Sequence, residues 1–195
     1  AGKTTLFSTL LDLIKPSTGE VLNNDINVRT SEDWKSFTSA FLDESFLIGY
    51  LMPEEYFYFV GELRNFSKKQ VDDFLTDFED LFNNEILGGK KYIRDLSKGN
   101  QKKVGIVAAL IGDPKVIVLD EPFANLDPTT QIRLKKIIKN LSKKEDVTVL
   151  VSSHDLQDVT EVSDRIVLLE KGLIIKDIKK TTKTLKDLES YFTKE

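Results

Sequence analysis

Short apolar runs alternate along this chain with longer stretches in which apolar residues recur every three or four positions. Val116-Ile117-Val118-Leu119 is a continuous apolar run that ends at Asp120, and Val147 to Ser152 is a second, mostly apolar one. Runs of this length predict strands buried on both faces. Phe37–Leu42 predicts a further strand, and Glu20–Leu22 a short one after the Ser17-Thr18-Gly19 turn. Helical spacing runs from Leu6 to Ile14 and stops before Lys15-Pro16, where proline removes a backbone donor. Pro53 opens a helix that the pattern carries to about Phe66, with Glu54 and Glu55 suited to its positive end. Val71, Phe74, Leu75, Phe78, Leu81 and Phe82 form one stripe of a following helix, broken by Gly88-Gly89. Gly99–Ile111, Pro128–Leu141 and Leu156–Val162 predict helices, and Ile166–Leu169 and Leu173–Lys176 predict strands. The charged stretch from Asp177 carries Leu185, Leu188, Tyr191 and Phe192 as a candidate docking stripe.

Strands alternating with helices predict an α/β fold with a mainly parallel sheet. The stretch from about Phe46 to Leu96 lacks buried-strand signals. It is expected to be a helical subdomain (about 46–96) inserted in a core made of 1–45 and 97–176. Residues 177–195 would then be a C-terminal tail of a single domain spanning 1–195.

Composition narrows the class. The chain has 195 residues, 40% hydrophobic and 31% charged, which suits a packed globular unit and not a disordered one. The net charge of −4 argues against a dedicated nucleic-acid binder, so no nucleic-acid partner is expected. There is no cysteine, which excludes disulfides and thiolate metal sites. No apolar run approaches the ~20 residues of a membrane-spanning helix.

Three stretches carry candidate chemistry. Ala1-Gly2-Lys3-Thr4-Thr5 runs straight into a helix and matches the second half of a G-x-x-x-x-G-K-[ST] phosphate loop. Glycine lets backbone N–H groups approach phosphate oxygens, and the helix start aims positive charge at them. Lys3 would place an ammonium near the outer phosphates of a nucleotide, and Thr4 a hydroxyl on Mg²⁺. Second, the strand ending at Leu119 delivers two adjacent carboxylates, Asp120 and Glu121. Such charges are costly at a buried strand end unless they are used. Asp120 would support Mg²⁺, and Glu121 would polarise an attacking water. Ligands collect at the carboxyl ends of parallel strands, where both stretches can meet. Third, Leu96-Ser97-Lys98-Gly99-Asn100-Gln101 opens the next helix, with a hydroxyl, a glycine and a helix N-terminus.

Taken together, these stretches resemble the motifs of ATP-binding cassette ATPases. Leu96–Gln101 resembles their Leu-Ser-Gly-Gly-Gln signature, and Lys98 and Asn100 give it the form familiar in bacterial exporters with a separately encoded permease. Ala124-Asn125-Leu126-Asp127 resembles the family's D-loop, with Asp127 as its acid. Val151-Ser152-Ser153-His154-Asp155 resembles its switch segment and holds the chain's one histidine, His154. Ser163–Leu169 and the Lys171-Gly172 turn resemble the family's closing strands. The resemblance covers nearly the whole chain and implies a P-loop (RecA-like) nucleotide triphosphatase fold with ATP and Mg²⁺ as cofactors. It implies that His154 contacts the γ-phosphate and holds the water in line. It also implies that Leu96, Ser97, Gly99 and Gln101 serve the ATP of a second ATPase subunit. Transmembrane permease subunits would be the other partners. The expected place is the cytoplasmic face of the inner membrane, peripheral, with export as the expected direction.

The family has a glutamine between the first helix and the helical insert. The better register puts Asp43 at that position, where a carboxylate could ligate Mg²⁺ or water but cannot donate as an amide does. The plainer alternative is that Asp43-Glu44 caps the next turn. The resemblance also places the first glycine of the phosphate loop, its feeding strand and an adenine-stacking aromatic upstream of Ala1. The chain is therefore expected to be cut inside that loop, to lack N-terminal strands and to be a poor ATPase alone. Phe46, Tyr50, Tyr56, Phe57, Tyr58 and Phe59 are either a groove for a permease helix or the core of the insert. The competing functions are a soluble cassette acting on ribosomes or DNA, and a regulatory cassette that binds nucleotide without hydrolysing it.

Overall fold

A computed structural model describes residues 2–192. Its centre is a parallel sheet of three strands, β3 (Thr38–Phe41), β4 (Val116–Leu119) and β5 (Thr148–Val151), in the order β3-β4-β5. In register, Phe41 lies beside Leu119 and Leu119 beside Val151, so the three strands end level. That alignment places residues 42, 120 and 152 along one edge of the sheet. Ile117, Val118 and Leu119 are buried, as a continuous apolar run on a central strand requires.

Short helices stand near both ends of the described residues, at 3–10 and 184–192. The first, α1 (Lys3–Leu10), begins and ends earlier than the apolar spacing predicts. Its end is a Schellman motif built on Asp12, which takes the left-handed φ of 55° usually filled by glycine. Leu13 N–H bonds to Ser8 O at 2.8 Å and Asp12 N–H to Thr9 O at 3.2 Å, so the helix stops well before Pro16. The expected strand at Glu20–Leu22 is instead a hairpin, β1 (Leu22–Asn23) with β2 (Ile26–Asn27). Asn24 and Asp25, at φ 47° and 62°, make the two-residue turn that suits a hairpin's twist.

After β3 the chain forms α2 (Pro53–Leu63), α3 (Lys68–Thr76) and α4 (Glu79–Phe82). The second predicted helix of this region is thus two helices. Asp77 and Phe78 close with bonds to residues three back, at 3.3 and 3.0 Å, and this tightening breaks the α-ladder. The stripe survives the break: Val71, Leu75, Phe78, Leu81 and Phe82 are all buried. Asn83, in the left-handed conformation, ends the run before Gly88-Gly89. Similarly, α2 ends three residues before Phe66, at Arg64 and a left-handed Asn65. The apolar core is continuous from Phe57 and Phe82 through the next helix to Ile117 and Leu119.

Arg64 fastens α2 to the start of β3. Its guanidinium donates to Lys35 O at 2.7 Å, Ser36 O at 2.8 Å, Thr38 O at 2.6 Å and Ser39 Oγ at 2.9 Å. Removing that fork strands four acceptors. Arg64→Met is expected to cost about 3 kcal/mol in urea unfolding, and a loss below about 1 kcal/mol would show that water satisfies those acceptors.

The next helix, α5 (Lys98–Leu110), is buried at every residue from Gln101 to Leu110. Gly105 lets it lie against β3, since a Cβ there would sit 2.2 Å from the Phe41 ring. The long α6 (Pro128–Leu141) and short α7 (Leu156–Val162) match the predicted bounds. An antiparallel hairpin follows, β6 (Arg165–Glu170) with β7 (Leu173–Lys179). β7 runs beyond Lys176 because Asp177 is held by Arg165 across the hairpin at 2.7 and 2.5 Å. The final α8 (Thr184–Phe192) buries Leu188 and half-buries Leu185, while Phe192 stays exposed.

Candidate active site

The level ends of β4 and β5 face the start of α1, and the candidate residues gather there. Gly2 precedes α1 with φ 95°, a conformation that glycine adopts freely. Thr4 Oγ1 donates to Asp120 Oδ2 at 2.6 Å, joining residues 116 positions apart. Lys3 Nζ lies 2.5 Å from Glu121 Oε1. His154, at the turn after β5, brings Nδ1 to 2.8 Å from Glu121 Oε2, and its backbone N–H to 3.3 Å from the same oxygen. Asp155 fixes that turn by accepting from Gln157 N at 2.8 Å and Asp158 N at 3.2 Å, capping α7.

The two carboxylates live in different surroundings. Asp120 is buried, and its oxygens accept from Thr4 and from Ser152 Oγ. Glu121 is partly exposed. Burial pushes its carboxyl up, but the Lys3 and His154 hydrogen bonds and charges outweigh that and hold it below the usual carboxylate range. Glu121 is therefore ionised at neutral pH and accepts from both neighbours. Its backbone takes φ 47°, unusual for a residue with a side chain.

The donor set suits a hard divalent ion. Thr4 and Asp120 offer two adjacent oxygens, and Mg²⁺ commonly takes one or two protein oxygens, leaving the rest to phosphate and water. Among the described residues, no group of three or more His, Cys, Asp or Glu side chains is arranged as a ready metal cage.

Other predicted residues lie apart from this group. Asp43 caps the turn after β3: its carboxylate accepts from Ser45 N at 2.8 Å, and the Ser45 hydrogen bonds lower its pKa. That is the geometry of the capping alternative. Ser97 caps α5 through Asn100 N at 3.2 Å, and Gln101 Nε2 donates to Leu96 O at 3.0 Å and Arg94 O at 3.2 Å. A Cβ on Gly99 would meet Asn125 O at 3.4 Å. Among the described residues, Ser97, Gly99 and Gln101 make no hydrogen bond to Lys3, Thr4, Asp120, Glu121 or His154. Asp127 caps α6, accepting from Thr130 N at 3.0 Å and Thr130 Oγ1 at 2.5 Å, and these bonds lower its pKa. Thr5 sits exposed in the first turn of α1, and Ala1 lies outside the described residues.

Two residues at the site were not singled out from sequence. Ser152 donates to Asp120 and accepts from Glu121 N–H at 3.0 Å, so it touches both carboxylate residues. Its signal was the register of two apolar runs, which sequence alone does not supply. Lys102, buried on α5, donates to Glu121 O at 2.9 Å and Ala124 O at 3.0 Å.

A parallel sheet whose strand ends face a Gly-Lys-Thr helix start defines the α/β class of P-loop nucleotide triphosphatases. The family model for ABC transporters matches residues 1–124, and the chain belongs to that family. Among curated relatives, it is 32% identical over 178 residues to an uncharacterized ABC transporter ATP-binding protein of Synechocystis, covering 90% of this chain and 49% of that one. It is 31% identical over 186 residues to the energy-coupling factor transporter ATP-binding protein EcfA2 of Staphylococcus epidermidis, covering 90% and 64%. It is 30% identical over 199 residues to the methionine import ATP-binding protein MetN of Lactococcus lactis, covering 90% and 53%. The chain thus spans about half to two thirds of the length of these relatives. The fold matches a solved ATP binding subunit of an ABC transporter with TM-score 0.81 at 24% identity, over 98% of this chain and 78% of that one. It also matches a dimeric post-hydrolysis ATP-binding cassette bound to ADP and Pi, with TM-score 0.76 at 23% identity, over 91% and 80%.

Proposed function

We propose that this chain binds ATP with Mg²⁺ and hydrolyses it as the power subunit of a membrane transporter. The observation that carries the reading is the convergence of Lys3, Thr4, Asp120, Glu121 and His154 at the ends of β4, β5 and α1. Lys3 and the α1 N-terminus bind the outer phosphates. Thr4 and Asp120 would hold Mg²⁺, which would neutralise charge on the phosphates. Glu121, ionised, accepts a proton from the attacking water, and His154 orients that water. Lys3 shares its ammonium between Glu121 and an incoming phosphate, so nucleotide binding and loosening of the base are coupled.

Ser97, Gly99 and Gln101 stand apart from this group, which supports their service to a second copy's ATP. Each complete site then takes residues from two subunits, and ATP holds the pair together. Residues 46–96 are proposed to act as the helical unit that meets the permease. Phe46, Tyr50 and Phe59 are exposed there while Phe57 is fully buried, so the aromatic group divides between surface and core. No helix among the described residues is long and apolar enough to cross a membrane. Membership of the ABC transporter family supports attachment through permease subunits, on the cytoplasmic side. Export rests on the Leu96–Gln101 variant alone; the relative named for methionine import gives that direction no support.

Turnover measured with Mg²⁺ in the full-length protein is expected to rise faster than linearly with protein concentration. Strictly proportional turnover from protein that stays monomeric by size-exclusion chromatography with Mg²⁺-ATP would mean that one subunit suffices.

A further inference from the structure

We propose that Lys102 is a positioning residue that holds the backbone of the hydrolytic carboxylate from the signature helix. The inference rests on the ATPase reading above and assigns a part of that site. Lys102 is a buried charge whose ammonium is spent on backbone. Its side chain is 7% exposed; its ammonium donates to Glu121 O at 2.9 Å and Ala124 O at 3.0 Å and forms an ion pair with Glu44 Oε1 at 3.7 Å. A buried ammonium is costly, and it is tolerated where hydrogen bonds and an opposite charge compensate it.

What it holds is strained. Between Asp120 and Leu126 two residues with side chains take left-handed backbone, Glu121 at φ 47° and Asn125 at φ 62°. Such conformations persist where the surroundings fix them. The Glu121 peptide is fixed at both ends: Ser152 Oγ accepts from its N–H at 3.0 Å, and Lys102 donates to its carbonyl. Release of either end would let the segment relax and swing the carboxylate away from Lys3 and His154.

The clamp also has a direction. Lys102 lies five residues after Ser97, the N-cap of α5, on a helix buried from Gln101 onward. A helix so enclosed moves as a body. A displacement at Ser97, where a second copy's nucleotide would bind, therefore reaches the Glu121 and Ala124 carbonyls through Lys102. The same ammonium faces Glu44, next to the Asp43 turn, so three segments around the site share one cation.

The test compares Lys102→Met, Lys102→Gln and Ser152→Ala with the native full-length protein. Two readings are taken, steady-state ATP turnover and amide hydrogen exchange by segment. Lys102→Met is expected to lower kcat about 30-fold while KM for ATP stays within about twofold, as misplacement of a reacting group does. Lys102→Gln keeps a donor and is expected to recover much of that loss. Residues 121–125 should exchange about tenfold faster in Lys102→Met and in Ser152→Ala, while α6 keeps its native protection. A kcat within twofold of native in Lys102→Met would overturn the proposal. So would exchange that quickens equally in α6, which marks general loosening. If the native protein binds ATP without turning it over, the hydrolytic reading falls, and the exchange pattern alone decides whether Lys102 clamps the segment.

Discussion

Glu121→Gln is expected to lower ATP turnover about a thousandfold, the range in which a general base contributes, while ATP binding persists. The substitution keeps size and shape but removes the negative charge that Lys3 and His154 hold ionised. An amide oxygen is a poor proton acceptor, so the attacking water loses its base. The same change loosens the 2.5 Å Lys3–Glu121 pair and frees the ammonium for phosphate. ATP affinity should therefore be equal or higher, and with hydrolysis blocked the ATP-held pair of subunits should accumulate. Phosphate release and size-exclusion chromatography with Mg²⁺-ATP check both parts. Turnover within tenfold of native would place the base elsewhere.

Lys3→Met should act on binding instead. One charge-assisted bond to phosphate contributes about 2–3 kcal/mol, or about 100-fold in affinity. The variant also removes one of the two partners that oppose burial at Glu121, leaving His154 as the other. Titration with a fluorescent ATP analogue reads the first effect directly. An unchanged Kd would show that Lys3 serves only as the partner of Glu121. Lys3→Arg is not a silent control, because a planar fork does not replace a compact ammonium at a point contact.

Much of the fold was legible where a local pattern and the tertiary need agreed. β4 and α6 carry their own signals: a short apolar run that ends on two carboxylates, and a proline-led amphipathic stretch with Asp127 as cap. What failed was continuity. The stripe from Val71 to Phe82 names the buried face correctly, but an apolar stripe does not record the tightened turn at Asp77–Phe78. Helix ends at Asp12, Asn65 and Asn83 were missed for one reason. Each is a left-handed residue that is not glycine, and sequence reading looks for glycine.

At the site, Lys3, Thr4, Asp120, Glu121 and His154 were readable because each stands at the end of an element whose type was clear. Their meeting needed only that parallel strands end on one side. Ser152 and Lys102 were not readable. A serine closing an apolar run has no signal until the Leu119–Val151 register sets it beside Asp120. A lysine in a helix reads as solvent-facing until the helix proves to be buried all round. Asp43 shows the opposite limit. Its spacing allowed a metal role or a cap, and in the fold its Oδ1 accepts from Ser45 N in the turn that follows.

The claim at the centre is that each hydrolytic site joins Lys3 and Glu121 of one copy to Ser97 of another. Mixing two inactive variants tests it most directly. Lys3→Met spoils the phosphate half and Ser97→Arg the signature half, so each variant alone should be silent in Mg²⁺-dependent turnover. In an equal mixture, half of the pairs are mixed, and each mixed pair carries one intact site. Activity should then return to about a quarter of native, as two-fold symmetry of the pair requires. A mixture as silent as its parents, with paired subunits present, would contradict a site shared between two copies.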